Sequence, residues 1–153
     1  MSTADIFKKR LRQAVKESTL TVAEHAQDNH RFKSRTGQLE RAVNTRMLND
    51  LSGEVFIDNG IAAYAGFVHN GSAPHRILPN GSAPHRILPN GKKALRWVKN
   101  GAFQFARSVN HPGYKGDPFL YTAADDKKRE VLNTFDRYAE LAKEDIATEL
   151  VKR

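Results

Sequence analysis

The six histidines are the first residues to test for chemistry, because imidazole is the side chain that most readily binds metal or moves protons near neutral pH. Four of them, His69, His75, His85 and His111, fall in the middle of the chain. A metal site built on histidine shows itself in a sequence as a short pair at helical spacing or as an HExxH-type cluster with carboxylates. Neither spacing occurs, and His75 and His85 match only because the decapeptide that holds them is written twice. The absence of cysteine removes disulfides and thiolate zinc sites and suits a reducing compartment. There is no GxSxG, no Walker loop and no GxGxxG. The acids lie on the helix-forming ends, where solvated faces carry them. No residue is therefore assigned a catalytic role, and neither a metal nor another cofactor is expected.

Charge is the more informative feature. The chain carries 25 Lys and Arg against 17 Asp and Glu, a formal charge of +8. From Asn59 to Gly116 there is no acid at all, but there are eight bases: Arg76, Arg86, Lys92, Lys93, Arg96, Lys99, Arg107 and Lys115. Outside that window 17 bases face 17 acids, so the whole excess belongs to the middle. Such a field suits an anionic partner, either nucleic acid or an acidic neighbouring protein. Trp97, Phe103 and Phe105 sit in the same window, and their alternation suggests one sheet face packed under helices rather than a platform for stacking bases.

The elements that must position these residues follow from apolar spacing. Phe7, Leu11, Val15, Val22 and Ala26 form a helical stripe over 4–26. A longer stripe, from Leu120 through Val131, Phe135, Tyr138 and Ile146 to Leu150, predicts a helix over 118–153 with bases in its last turn. "FKSRTGQLERAVN" suggests a short helix capped by Ser34 or Thr36. "SGEVFIDNG" suggests a strand, and "IAAYAGFVHNG" two helical turns stopped by Gly71. Residues 94–109, two apolar runs around Asn100-Gly101, predict a hairpin with a type I′ turn. The expectation is one α+β domain over 1–153, with a small antiparallel sheet in which the hairpin joins the 54–58 strand and the terminal helices cover the sheet. Charges interrupt the N-terminal apolar run before it could act as a signal, and no segment has membrane-spanning length, so a soluble, cytoplasmic product is expected.

Residues 71–90 read "GSAPHRILPN" twice without a substitution. Each copy holds two prolines, which remove backbone donors and confine the segment to an edge strand or an extended loop. Two copies are too few for a solenoid. The segment over 71–93 is read as one long loop whose lengthening costs only slowly growing closure entropy.

Four segments in order resemble one known family. They are a TG-x-L helix start in "SRTGQLERAV", then "YAGFVHNGSAPHRI", a Lys-Lys strand in "KKALRW", and an H-P-G turn into the last helix in "HPGYKGDPFLYTAADD". Together they are similar to the tail-component family of long-tailed phages, the tail-completion and neck proteins that include relatives of lambda minor tail protein Z. The stretch covered is about 34–124. The second decapeptide departs from the family pattern, which passes from one P-H-R-I loop straight to the Lys-Lys strand.

The resemblance implies a virion structural protein of the tail or neck, made in the host cytoplasm. It would close as a ring, hexameric in the virion, at the head-to-tail interface or upper tail. It would contact neighbouring neck, tail-terminator or tail-tube proteins, without membrane and without cofactor. In such a ring, Arg76, Arg86, Lys92, Lys93, Arg96 and Lys99 could face either an acidic neighbouring ring or the channel, with weak, salt-sensitive and transient contact to genomic DNA. Within "PHRILP", Ile77 and Leu78 beside Arg76, and Ile87 and Leu88 beside Arg86, form an anchor-plus-charge pattern suited to a protein groove. The runner-up function is a basic nucleic-acid-binding protein that uses the same acid-free segment.

Overall fold

In the computed structural model, which describes residues 2–77 and 94–152, the N-terminal stripe forms helix α1, Thr3–Asp28. Ser2 opens it with a capping box: its hydroxyl accepts from the Asp5 N–H, and the Asp5 carboxylate accepts from the Ser2 N–H, each at 3.1 Å. The C-terminal stripe forms helix α4, Phe119–Val151. The bases expected in its last turn lie beyond it, because Lys152 is the C-cap and the turn before it carries none. Polar ties between the two helices run in opposite directions along the chain: Arg10 to Asp145 at 2.7 Å, Tyr138 hydroxyl to Glu17 at 2.9 Å, His25 to Asp126 at 3.1 Å. The helices are therefore antiparallel neighbours. Small buried residues, among them Ala14, Ala23 and Ala26 on α1 and Ala123 and Ala142 on α4, leave room for close packing.

Between them stand a short helix and a ribbon. Helix α2 is Gln38–Ala42, and its N-cap is Gly37 at φ +67° with no side-chain cap bond, so neither Ser34 nor Thr36 caps it as the sequence suggested. The chain then turns directly into strand β1, Val43–Asn49, which pairs antiparallel with strand β2, Ser52–Ile57. The pairing runs from Val43↔Ile57 to Asn49↔Ser52, with a bulge between Met47 and Asn49. A Cβ on Gly53 would stand 3.0 Å from Thr19 Cγ2 and 3.2 Å from Val15 Cγ1, so the ribbon meets α1 at a point where only glycine fits without a shift. Helix α3, Ala65–Asn70, ends as expected at Gly71, whose φ is +83°. The main core joins Leu39, Ala42, Val43, Ala65, Phe119 and Ala123 with the alanines of α1.

The described chain forms two compact units. Unit 1 comprises 1–69 and 117–153, and unit 2 is 70–116. Unit 2 contains strand β3 (His75–Ile77), strand β4 (Leu95–Lys99), strand β5 (Ala102–Ala106) and strand β6 (Val109–His111). These pair as two separate antiparallel ribbons, β3 with β6 and β4 with β5. This corrects the expectation of one sheet: β2 takes β1 as its partner, and the hairpin stands as a ribbon of its own. Val109, placed at the end of the hairpin by the sequence, belongs instead to the other ribbon. Among the described residues, no helix is long and apolar enough to cross a membrane.

Candidate interaction surface

Unit 2 lies entirely inside the acid-free window, so it holds all eight of the window's bases and no carboxylate. Unit 1 holds the remaining 17 bases and all 17 acids. The fold has sorted the charge: one unit is neutral in formal terms, and the other carries the whole excess. Within unit 2 no cation has a carboxylate to pair with.

Of the residues singled out in the sequence, Arg76 and Ile77 lie in β3, opposite Asn110 and Val109 of β6. Arg96 and Lys99 lie on β4 and are exposed. Leu78, Arg86, Ile87, Leu88, Lys92 and Lys93 fall outside the described residues. The β3–β6 ribbon also sets His75 opposite His111, a pairing that sequence spacing does not reveal. The His111 Nδ1 accepts from the Gly113 N–H at 3.1 Å. His85 is outside the described residues, and His69 belongs to unit 1.

The β4–β5 hairpin carries the most distinctive surface. Asn100 at φ +53° and Gly101 at φ +77° form its turn, the conformation that Asn-Gly supplies at least cost. That two-residue turn fixes the register as Lys99↔Ala102, Val98↔Phe103, Trp97↔Gln104, Arg96↔Phe105 and Leu95↔Ala106. Paired residues share a face, so Arg96, Val98, Phe103 and Phe105 lie on one side, and Trp97 lies on the other with Lys99. The expectation of a single aromatic face is thus corrected for Trp97. So is the expectation of burial: Val98 is 60% exposed, Phe103 61% and Phe105 67%. The Arg96 guanidinium lies over the Phe103 ring, 4.8 Å from its centre, reached diagonally across the ribbon. The signal that would have placed these residues was present in the sequence, since an Asn-Gly turn determines which residues face which.

The chain enters and leaves unit 2 side by side. The Ser72 N–H donates to the Tyr114 carbonyl at 2.8 Å, and the Tyr114 N–H returns a bond to the Ser72 carbonyl at 2.9 Å. At this neck, Gly113 adopts φ +86°, and a Cβ there would stand 2.5 Å from the Ser72 carbonyl oxygen. No family model, no curated protein and no solved structure matches the chain.

Unit 1 holds a buried polar anchor at Asp117. Its Oδ2 accepts from the backbone N–H groups of Arg31 and Phe32, and its Oδ1 accepts from the Arg31 guanidinium at 3.2 Å. Burial alone would raise its pKa. The two backbone donors and the guanidinium outweigh burial and hold the carboxyl below its ordinary value. Next to it, His30 stacks on Phe32 at 3.6 Å, Phe32 meets Phe119 edge-on at 5.2 Å, and Phe119 meets His69 edge-on at 5.3 Å. These contacts tie the segment after α1 to the start of α4. Their products are rigidity and a defined helix start, and among the described residues no group of three His, Asp or Glu comes together as metal ligands would.

Proposed function

We propose that this protein is a structural component of a long-tailed phage virion, a tail-completion or neck protein that closes as a ring at the head-to-tail interface or upper tail. The observation that supports this reading best is the sorting of charge between two units: one neutral and helix-rich, the other cationic. A ring that joins two other assemblies needs both parts. The part that meets copies of itself must do so without net repulsion, and the part that docks must favour a partner of opposite charge. The body also keeps partly exposed apolar side chains of the kind that subunit contacts cover, such as Phe7 on α1 and Leu132 on α4. The four family-like segments in "SRTGQLERAV" through "HPGYKGDPFLYTAADD" support the same reading.

The docking segment is "PHRILP", with Ile77 and Ile87 as anchors and Arg76 and Arg86 as steering charges. The test is assembly of infectious particles from two variants, one with Ile77→Ser and Ile87→Ser, the other with Arg76→Ala and Arg86→Ala. Loss of head-to-tail joining in the isoleucine variant is the expected result. Joined particles whose DNA ejection fails only in the arginine variant would assign the segment to the channel instead. Quantitative mass analysis of virions should give a copy number consistent with a ring. One or two copies per particle would refute ring closure.

A further inference from the structure

The exposed face of the β4–β5 hairpin is left without a role by ring formation or by docking through "PHRILP". From its geometry we infer that it is a stacking platform for single-stranded nucleic acid, independent of the virion reading above. Three observations carry this.

First, Phe103 and Phe105 are two residues apart on one strand, so their rings rise from the same face about 7 Å apart. Both are more than half exposed. Exposed rings can take up bases by stacking, and stacking of this kind tolerates any base because every base has a π-face. Second, the Arg96 guanidinium lies over Phe103, 4.8 Å from the ring centre. A planar cation in that position extends the stacking surface and places positive charge where a phosphate would pass. Third, the surrounding unit holds eight bases and no acid, with Lys99, Arg107 and Lys115 exposed along with Arg96. Nothing within unit 2 repels a polyanion.

Duplex DNA fits this face less well, because its bases are already stacked on one another and cannot reach the rings. An acidic protein surface would satisfy the charge, but it would not need two exposed aromatic rings on one face. The hairpin thus selects unstacked bases on an anionic backbone.

The experiment uses the full chain and three labelled probes: a 20-nucleotide oligo-dT, a blunt duplex of equal length, and polyglutamate. Fluorescence anisotropy at low salt should show oligo-dT binding that is tighter than duplex binding and falls as salt rises. Phe103→Ser with Phe105→Ser should weaken oligo-dT binding by at least about tenfold, since each stacked base contributes on the order of five- to a hundredfold. Phe103→Tyr with Phe105→Tyr keeps both π-faces and should restore it. Arg96→Gln with Lys99→Gln should flatten the slope of log affinity against log salt by about 1.4. Circular dichroism of each variant checks that the fold is kept. Three results would overturn the inference: no oligo-dT binding, equal binding of duplex with the serine variant unchanged, or binding of polyglutamate in place of oligo-dT. The last would assign the face to an acidic protein.

Discussion

The two units of this chain solve opposite problems. Unit 1 pairs its charges across antiparallel helices, Arg10 with Asp145 and Arg137 with Glu17, and buries alanines and Phe119. Unit 2 has no carboxylate of its own and leaves Phe103 and Phe105 of its hairpin more than half exposed. Burial stabilises unit 1, while unit 2 relies on backbone geometry: a type I′ turn at one end and a glycine neck at the other. The difference indicates where stability and recognition reside. Substitutions in unit 1 should change melting, and those on the face of unit 2 should change binding.

The largest expected effect is therefore at Phe119, which is 1% exposed and the largest fully buried side chain among the described residues. Phe119→Ala should cost about 3–5 kcal/mol in denaturant unfolding. Phe103→Ala, a change of the same size on the hairpin face, loses an exposed cation–π contact and should cost about 1 kcal/mol at most. Equal losses at the two positions would erase the contrast between the units.

Asp117 comes next. Asp117→Ala strands two backbone donors and a guanidinium, and should cost about 3 kcal/mol. The pH dependence has a definite sign. The folded carboxyl titrates below its unfolded value of about 3.9. Its contribution is thus fully present above that value and is lost as pH falls through the lower folded one. Urea unfolding between about pH 5 and pH 2 should show stability falling toward acid, and Asp117→Asn should flatten that fall. An unchanged slope in the variant would mean that other carboxylates carry the acid sensitivity.

At the neck, Gly113→Ala forces a Cβ to 2.5 Å from the Ser72 carbonyl at a backbone angle that side chains avoid. It should cost about 1–3 kcal/mol, with the effect confined to unit 2. Hydrogen exchange can read this directly: amides of β4 and β5 should lose protection while those of α1 and α4 keep theirs. Uniform loss across the chain would show that the units unfold as one.

Local patterns in the sequence made the long elements legible. Helices α1 and α4 follow their apolar stripes to within a few residues, β2 follows its turn residues, and Gly71 and Asn100-Gly101 act as their types dictate. Pairing was not legible, because it depends on partners distant in sequence. In "AVNTRMLN" the apolar residues do not alternate cleanly, so the sequence gives no strand signal for β1, and the hairpin stands as the nearest candidate partner of β2. The cap at α2 was missed because Gly37, in the left-handed region, displaced the hydroxyl residues that usually begin helices. The candidate surface was half legible. Charge segregation could be read residue by residue, whereas the split of Trp97 from Phe103 and Phe105 required the turn register to be carried through both strands.

The smallest expected effect comes from the repeated decapeptide. Removing residues 71–80 or residues 81–90 gives the same chain, because the copies are identical. Either deletion therefore leaves one His-Arg-Ile to pair with Val109–His111, and the β3–β6 register survives. What changes is the connection between Ile77 and Leu95, which shrinks to less than half its length. Closure entropy varies with the logarithm of loop length, so the shorter chain should be more stable by about 0.8 kcal/mol at most. The change in sign matters more than its size. A gain, or no change, in the melting temperature would place the second copy outside the packed structure and confine its effect to whatever the repeated segment contacts. A loss of more than about 1 kcal/mol would mean that the second copy makes contacts that loop entropy does not describe, and that unit 2 is held by more than its turn and its neck.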